Sequence, residues 1–428
     1  MDNIERTLFV NRIQAICKEM GAVLQHTAFS PNIRDRLDFS CAIFDAAGQL
    51  CAQAAHIPVH LGSMAYAMHE IVKQIPWQDG DTIILNDPFM GGTHLPDVTL
   101  ISPVFFGGRL CAYVANRAHH ADIGARTPGS MPLTRRLEDE GFVIPPTYLV
   151  KQHGPLEKDI TRLLQRLHAP ENAHADLSAQ LSSNNRGVDR LQQLIKKMKV
   201  DAFQASLLEL NSYAEKLART GIQSLPDGHY TFEDFMDDDG LGNIDIPIQV
   251  TLHISDQRIT VDFSGTAGQA SGNINCPISV TAAAVYYCFY CLMPKETPVC
   301  AGSFRPIRMI APEGCLVNAR RPAAVAAGNV ETSTRLVDVV LGALALAIPD
   351  RIPAASHGSM NNIAMGTEQW DYYETLGGGM GAGPAANGVS AIHTHMTNTL
   401  NTPIEVLERH YPLRIKRYQV RRGSGGQG

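Results

Sequence analysis

Two neighbouring segments carry the residues best suited to chemistry. His94 and Asp97 form an HxxD pattern in a glycine-rich loop, and His119 and His120 end the second apolar run that follows. Imidazole nitrogens and carboxylate oxygens together suit Zn, Mn or Fe. Three or four such ligands leave room for a bound water, as a catalytic metal site requires. The pattern therefore predicts a site for one divalent metal.

The hairpin that joins these segments determines how they meet. Two apolar runs, VTLISPVFF and RLCAYVANR, flank Gly107-Gly108, which is a good hairpin signal. A two-residue turn places Asp97 opposite Ala118, and facing Cβ atoms lie roughly 5 Å apart. The HxxD pattern and the histidine pair then converge at the open end of one hairpin. Adjacent strand residues face opposite sides, so the sequence leaves open whether His119 or His120 faces the site.

Acidic residues nearby could support the ligands or act as general acid or base. Asp87 follows a predicted strand, and Glu138–Glu140 form an acidic run in a loop. The alternative interpretation of this run is a solvated acidic loop. The candidate catalytic residues are Asp97, His120 and Glu140.

Two further patterns are interpreted as structure. His393 and His395 form an HxH near the end of the chain, which we interpret as loop structure unless it lines the same cleft. Cys288 and Cys291 form a CxxC in an apolar run, but no second pair follows at zinc-site spacing. Free cysteines are commonly buried, so this pair is predicted to lie in the core.

Composition and missing motifs exclude several classes of function. The net charge of -6 argues against nucleic-acid binding, which usually needs a basic face. No apolar run reaches the roughly 20 residues of a membrane span, and the N-terminus lacks the apolar centre of a signal peptide. The odd count of 9 cysteines favours reduced thiols and a cytoplasmic location. Phosphate-loop, dinucleotide, nucleophile-elbow and HExxH motifs are missing, so the sequence contains no recognisable nucleotide site.

The elements that must position these residues follow an irregular order. Apolar spacing predicts helices at 8–26, around 62–75, across 156–222, and in TAAAVYYCFYCLM and TRLVDVVLGALALAI. Strands are predicted in FSCAIFDAAGQLCAQ, at 81–87, in the Gly107-Gly108 hairpin, and in IQVTLHIS and ITVDFSG. This order predicts an α+β, multi-domain fold with a loop-rich C-terminal part. The expected divisions are a metal-site domain at 1–155, a helical segment at 156–222 and an α+β domain at 223–428.

Several long runs resemble the hydantoinase B/oxoprolinase family. They are NIRDRLDFSCAIFD, NDPFMGGTHLPDVTLISPVF, NRAHHADIG, FRPIRMIAPEG, RPAAVAAGNVETSTRLVDVVLGALA, HMTNTLNTPIEVLE and RYQVRRGSGGQG. The family includes N-methylhydantoinase, 5-oxoprolinase and caprolactamase subunits, and also the α subunit of acetone carboxylase and a subunit of acetophenone carboxylase. Relatives usually continue beyond SGGQG, so a chain that stops at Gly428 is expected to be truncated, trimmed or a short member.

The resemblance implies which side chains hold the metal. The corresponding residues in this chain are Asp35, His94, Asp97 and His119. Many relatives have Glu where this chain has Asp35, so the ligand here is shorter by one methylene. Asp38 is the nearby alternative.

The resemblance also implies a mechanism shared between two subunits. A hydantoinase A-like partner binds ATP and phosphorylates the carbonyl oxygen of a small cyclic amide. An unstrained amide is a poor electrophile, and phosphorylation provides a better leaving group. Water activated by the metal then opens the ring. The expected function is the metal-binding subunit of an ATP-dependent hydrolase of hydantoins, 5-oxoproline or lactams.

Two alternatives stay open. A ketone carboxylase of the acetone or acetophenone type would use the same ligands, although the short chain favours the hydrolase. A scaffold subunit without activity is the second alternative. The presence of all the metal-type residues argues against it.

Overall fold

The computed structural model describes residues 2–55, 57–152, 154–155, 157–367 and 370–424. Its helices are α1 (Asn3–Thr27), α2 (Pro31–Arg34), α3 (Pro58–Gln74), α4 (Glu157–Leu164), α5 (Pro170–Met198), α6 (Val200–Gln223), α7 (Ile278–Tyr290), α8 (Ala301–Phe304), α9 (Ser333–Ala347) and α10 (Ile404–His410). Its strands are β1 (Phe39–Asp45), β2 (Leu50–Ala55), β3 (Thr82–Leu85), β4 (Asp97–Phe106), β5 (Arg109–His119), β6 (Thr147–Lys151), β7 (Gly154–Pro155), β8 (Gly228–Asp238), β9 (Ile244–Ser255), β10 (Arg258–Asp262), β11 (Ile307–Ile310), β12 (Asn362–Gly366), β13 (Asp371–Thr375), β14 (Gly379–Met380) and β15 (Val389–Ser390). The irregular order confirms the α+β, multi-domain prediction.

A seven-stranded antiparallel sheet forms the N-terminal half, in the order β2-β1-β5-β4-β3-β6-β7. Both faces of its central strands are covered. In β1, Cys41 and Ile43 pack in one cluster with residues of α1, α5 and α6. Ala42 and Phe44 pack on the opposite face with residues of α3. This alternation follows from the two-residue period of a strand, and it explains why every residue of β1 is buried.

The predicted helical region 156–222 forms α4, α5 and α6, and α5 lies across β4 and β5. Buried polar side chains fix α5 on the sheet. Gln180 Nε2 donates to the Val98 carbonyl at 3.0 Å, and Asn184 Nδ2 donates to the Leu100 carbonyl at 3.2 Å. Such buried amides need matched partners, so they favour one register of helix on sheet. The bounds of the three predicted domains stay a prediction.

A second sheet, in the order β11-β10-β9-β8, supports the C-terminal half. Its apolar side chains form one core with α7 and α9. The two halves of the chain meet where α3 crosses α7. A Cβ atom at Gly62 of α3 would lie 2.5 Å from Ala283 Cα of α7, so this close crossing needs a glycine.

The cysteines and the helices bear on two of the sequence expectations. All of the cysteines are free thiols. Core burial is confirmed for Cys288 and wrong for Cys291, because α7 ends at Tyr290 and leaves Cys291 exposed. Within the described ranges, no helix is long and apolar enough to cross a membrane.

Candidate metal centre

Asp97 and His119 face each other across β4 and β5. The hairpin turns at Gly107-Gly108 as predicted, but the register shifts at Val104–Phe105. Such a β-bulge inserts one extra residue into one strand. The prediction that Asp97 lies opposite Ala118 is therefore wrong by one residue. The observed register places Asp97 directly opposite His119.

The alternation of side chains along β5 separates the two adjacent histidines. His119 shares a face with Arg117, which donates to the Ser63 hydroxyl of α3 at 2.7 Å. His120 lies on the other face, where its Nε2 is 3.0 Å from Gln180 Oε1 of α5. Only His119 therefore joins Asp97. This position does not support the catalytic role predicted for His120, which stays a prediction.

His94 completes a buried group with Asp97 and His119, here called the metal cluster. One potential ligand atom from each residue lies within 4.8 Å of the other two. His94 Nε2 is 3.4 Å from Asp97 Oδ1. None of the three is more than 3% exposed. They line a cavity of about 20 Å³, which is enough for one water molecule.

Unpaired atoms in the metal cluster fit a bound cation. His94 Nε2, His119 Nε2 and Asp97 Oδ1 are buried and have no hydrogen-bond partner in the part of the chain that the structure describes. A buried polar group without a partner destabilises a fold by about 1–3 kcal/mol. Two imidazoles and a carboxylate form a donor set that Zn, Mn and Fe accept. These residues therefore fit one divalent metal.

The protonation states of the metal cluster also suit a cation. Burial raises the pKa of Asp97, but the charges of His94 and His60 outweigh it and hold this pKa well below its usual value. Burial, followed by the charge of His94, holds the pKa of His119 well below its usual value. Near pH 7, Asp97 is therefore an anion and His119 is neutral. Metal ligands need these states.

Two neighbours outside the metal cluster fix the orientation of His119. Asn32 Nδ2 lies 3.3 Å from its Nδ1, so Nε2 is the ring nitrogen without a hydrogen-bond partner among the described residues. The ring of Tyr373 stacks on His119, with centroids 4.8 Å apart and planes 8° apart. Contacts of this kind set the tautomer and the orientation of metal-binding histidines.

The sequence analysis missed the residues that support Asp97. The Thr93 hydroxyl donates to Asp97 Oδ2, and His60 Nε2 lies 3.4 Å from the same oxygen. Thr93 directly precedes the HxxD pattern and could have been found as its neighbour. His60 lies in α3, and no local spacing connects it to the pattern. Tyr373 is more remote still, in β13.

Asp35 lies outside the metal cluster. It follows the last residue of α2, and its carboxylate pairs with Arg34 at 2.8 Å. Asp38 is buried and lines the cavity of the metal cluster. The observed positions argue against Asp35 as a ligand and favour Asp38, which the sequence analysis held as its alternative.

The acidic run divides into exposed and buried residues. Glu138 is exposed and pairs with Arg136 at 3.4 Å. Glu140 is fully buried, and its Oε1 accepts the backbone N–H groups of Val325 and Ala326 at 2.9 Å each. None of the described residues that line the cavity of the metal cluster comes from this run. The catalytic role of Glu140 stays a prediction, and its visible role is to anchor the 325–326 backbone.

The remaining candidates belong to other local structures. Asp87 accepts a hydrogen bond from the backbone of the turn that follows it and pairs with Arg321. His395 Nε2 lies 3.2 Å from Asp338 Oδ1. His393 and His395 line a neighbouring pocket and not the cavity of the metal cluster. The interpretation of the HxH as loop structure stands.

We expect the Glu140→Gln variant to lose part of the pH dependence of folding stability. A glutamate in the unfolded chain titrates near pH ~4.3, whereas burial raises the pKa of Glu140 to about 7. Between these values the folded state binds more protons, so the free energy of unfolding falls as pH rises. The size of this effect is at most on the order of 3 kcal/mol.

Urea unfolding at pH 5 and pH 8 measures this difference. The wild type should lose more stability than Glu140→Gln between the two values. Glu138→Gln is the matched control, because Glu138 is exposed. Parallel curves for the wild type and Glu140→Gln would contradict the expectation.

The fold agrees with comparisons to known proteins. The chain belongs to the hydantoinase B/oxoprolinase family, whose model matches residues 2–428. 5-oxoprolinase 1 of Arabidopsis thaliana is 37% identical over 458 residues, which cover 100% of this chain and 35% of that protein. This chain therefore spans about a third of the length of that relative.

Two solved structures share the fold. The ATP-dependent caprolactamase from Pseudomonas jessenii matches with a TM-score of 0.91 at 28% identity, over 98% of this chain and 75% of that chain. The nucleotide-free structure of acetone carboxylase matches with a TM-score of 0.86 at 16% identity, over 96% of this chain and 58% of that chain. The second likeness shows the fold alone.

Proposed function

We propose that this chain is the metal-binding subunit of an ATP-dependent cyclic-amide hydrolase. The metal cluster, with its facing unpaired atoms, is the observation that carries the proposal. Family membership and the oxoprolinase and caprolactamase relatives support the substrate class. The sequence contains no recognisable phosphate loop, so ATP is assigned to a hydantoinase A-like partner. The working enzyme is then a cytoplasmic hetero-oligomer.

The residues of the site have different proposed roles. His94, Asp97 and His119, with Asp38 as the fourth candidate, would hold the metal. When bound, a divalent metal supplies Lewis acidity and lowers the pKa of water. Asp97 contributes negative charge that offsets the charge of the cation. His94, Asp97 and His119 are buried, which restricts the access of bulk water to the metal cluster.

The proposed reaction consumes one ATP and two water molecules. The partner transfers the γ-phosphoryl group of ATP to the amide oxygen. A water molecule adds its oxygen to the ring carbon, the carbon–nitrogen bond breaks, and the nitrogen takes a proton. A second water hydrolyses the resulting acyl phosphate to a carboxylate and phosphate. This chain provides the place where water meets the activated carbon.

The alternative is a subunit of an ATP-dependent ketone carboxylase. It would use the same metal cluster, because an activated ketone must also react beside a cation. The likeness to acetone carboxylase, at 16% identity, carries the fold alone. The caprolactamase is 28% identical and has the higher TM-score, so we prefer the hydrolase.

Reconstitution with the A-like partner tests the proposal. The chain, the partner and ATP are incubated with hydantoins, 5-oxoproline, lactams and ketones, with and without bicarbonate. We expect ring-opened product that requires ATP and both proteins, and no requirement for bicarbonate. Omission of either protein is the control. A carboxylated ketone that forms only with bicarbonate would contradict the hydrolase and support the alternative.

A further inference from the structure

A fully buried arginine near the metal cluster has two nitrogen donors without a hydrogen-bond acceptor among the described residues. Arg36 is 0% exposed, and its Nη1 donates to Asn32 Oδ1 at 3.0 Å and to the Tyr373 carbonyl at 2.7 Å. Its Nε and Nη2 are buried and have no partner among the described residues. Nε–H and Nη2–H point from the same edge of the guanidinium. This edge is the one that binds two oxygens of one anion.

Arg36 shares its neighbours with the metal cluster. Asn32 contacts both Arg36 and His119. Tyr373 stacks on His119, and the guanidinium carbon of Arg36 lies 5.4 Å from the centroid of the same ring. Burial raises the pKa of Asp38, and the charge of Arg36 partly offsets this effect. Because Tyr373 also lines the cavity and contacts the guanidinium, Arg36 lies close to the cavity wall.

A further unpaired polar group comes from the segment that packs on Arg36. The Thr399 hydroxyl is buried and has no hydrogen-bond partner within the described ranges, and Thr399 lines the cavity of the metal cluster. The next residue, Leu400, donates its backbone N–H to the Arg36 carbonyl at 3.0 Å.

This arrangement favours an anion as the occupant. A buried guanidinium whose N–H groups lack acceptors destabilises a protein by several kcal/mol. Asp38 is near enough for its pKa to be affected by Arg36, but none of the described carboxylates forms an ion pair with Arg36, and Nε and Nη2 have no acceptor among the described residues. The guanidinium fork matches the spacing of phosphate oxygens, whereas a lysine offers only a point charge. The Thr399 hydroxyl adds a donor at the wall of the cavity. A phosphoryl group offers acceptors for the free edge of Arg36 and for this hydroxyl.

We propose that the free edge of Arg36 binds the phosphoryl group of the phosphorylated amide and the phosphate ion released from it. This inference rests on the proposed function, since that reaction supplies the phosphoryl group. With its phosphate on Arg36, the substrate presents its activated carbon toward the metal cluster. The guanidinium also offsets the negative charge of the phosphate during hydrolysis. The Thr399 hydroxyl is the second candidate contact.

Binding of inorganic phosphate to the full chain tests the assignment. The affinity is measured by calorimetry at fixed ionic strength, with metal content checked to be equal. We expect Arg36→Met to weaken phosphate binding by roughly 10- to 100-fold, the value of one or two charge-assisted hydrogen bonds. Arg36→Lys keeps the charge and loses the fork, so its affinity should be intermediate. Arg34→Met is the matched control and should bind like the wild type, because Arg34 pairs with Asp35.

Equal phosphate affinity in the wild type and Arg36→Met overturns the inference. If Arg36→Met does not fold, a folded Arg36→Lys variant with wild-type affinity overturns it instead. The assay contains no partner, ATP or amide, so its result does not depend on whether the proposed function is correct. Ring opening without Arg36-dependent phosphate binding would contradict this inference alone. In the reconstituted complex, slower ring opening in Arg36→Lys supports the phosphorylated amide as occupant, and an unchanged rate with weaker phosphate inhibition supports the released ion.

Discussion

Ring opening by the reconstituted complex should fall by at least ~100-fold in the Asp97→Asn variant, while ATP cleavage continues. Asparagine preserves the shape of Asp97 and removes its charge. The pKa of Asp97 is held low by His94 and His60 against the effect of burial, so the wild-type side chain is an anion at pH 7. The variant loses a carboxylate ligand and therefore metal affinity. Phosphorylation by the partner does not involve Asp97 in the proposed scheme.

The decisive measurement compares phosphate release with ring-opened product in the same reaction. The wild type should form about one product per ATP cleaved, and the variant almost none, because its phosphorylated amide decays without productive attack. Arg117 is buried, and the charge of Asp97 partly offsets the lowering of its pKa by burial, so folding of the variant must be checked by thermal unfolding. A folded variant that opens the ring at the wild-type rate would show that the metal cluster is structural.

The part of the site that lies on one hairpin could be predicted from the sequence. The Gly-Gly turn and the two apolar runs bring Asp97 near the histidine pair without any knowledge of the rest of the chain. The register was missed because the bulge at Val104–Phe105 has no sequence signal of its own. Bulges depend on how a strand packs against its neighbours. The choice between His119 and His120 depends on this register and on the position of α5.

The choice between the two candidates for the fourth ligand could not be made from the sequence. Asp35 and Asp38 are close in sequence, but they differ in direction because the chain turns sharply between them. Leu37 has a φ of 57°, which is uncommon for leucine. The strand β1 begins at Phe39, so Asp38 is held at the edge of the cavity while Asp35 stays with Arg34. A composition or spacing rule cannot detect such a turn.

Residues that support the site from a distance could not be found by pattern. His60, Tyr373 and Thr399 come from three separate segments, and each contacts the site only through the tertiary fold. Arg36 lies within the run that carries the family resemblance, yet its unpaired edge is visible only when its partners are known. The type of chemistry could thus be predicted from a few residues, whereas the second layer of contacts needed the structure.

Loss of the bound metal is the other large effect that we expect. The purified chain should contain about one equivalent of Zn, Mn or Fe, and His94→Ala should contain almost none. His94 contributes one of the two imidazoles in the metal cluster, and neither of its ring nitrogens has a hydrogen-bond partner among the described residues. Removal of one imidazole leaves too few donors for tight binding of a first-row metal. Elemental analysis after dialysis measures the content directly.

His120→Ala is the matched control, because it removes the adjacent histidine from the same strand end. His120 is buried like His119 but contacts Gln180 on the opposite face of the sheet, so its variant should keep the metal. Asp38→Asn and Asp35→Asn extend the comparison to the fourth ligand. The positions of the two carboxylates predict weaker metal binding in Asp38→Asn and normal binding in Asp35→Asn. Full metal content in a folded His94→Ala variant would remove the basis of the proposed function, and the reverse order of the two aspartate variants would restore Asp35 as the ligand.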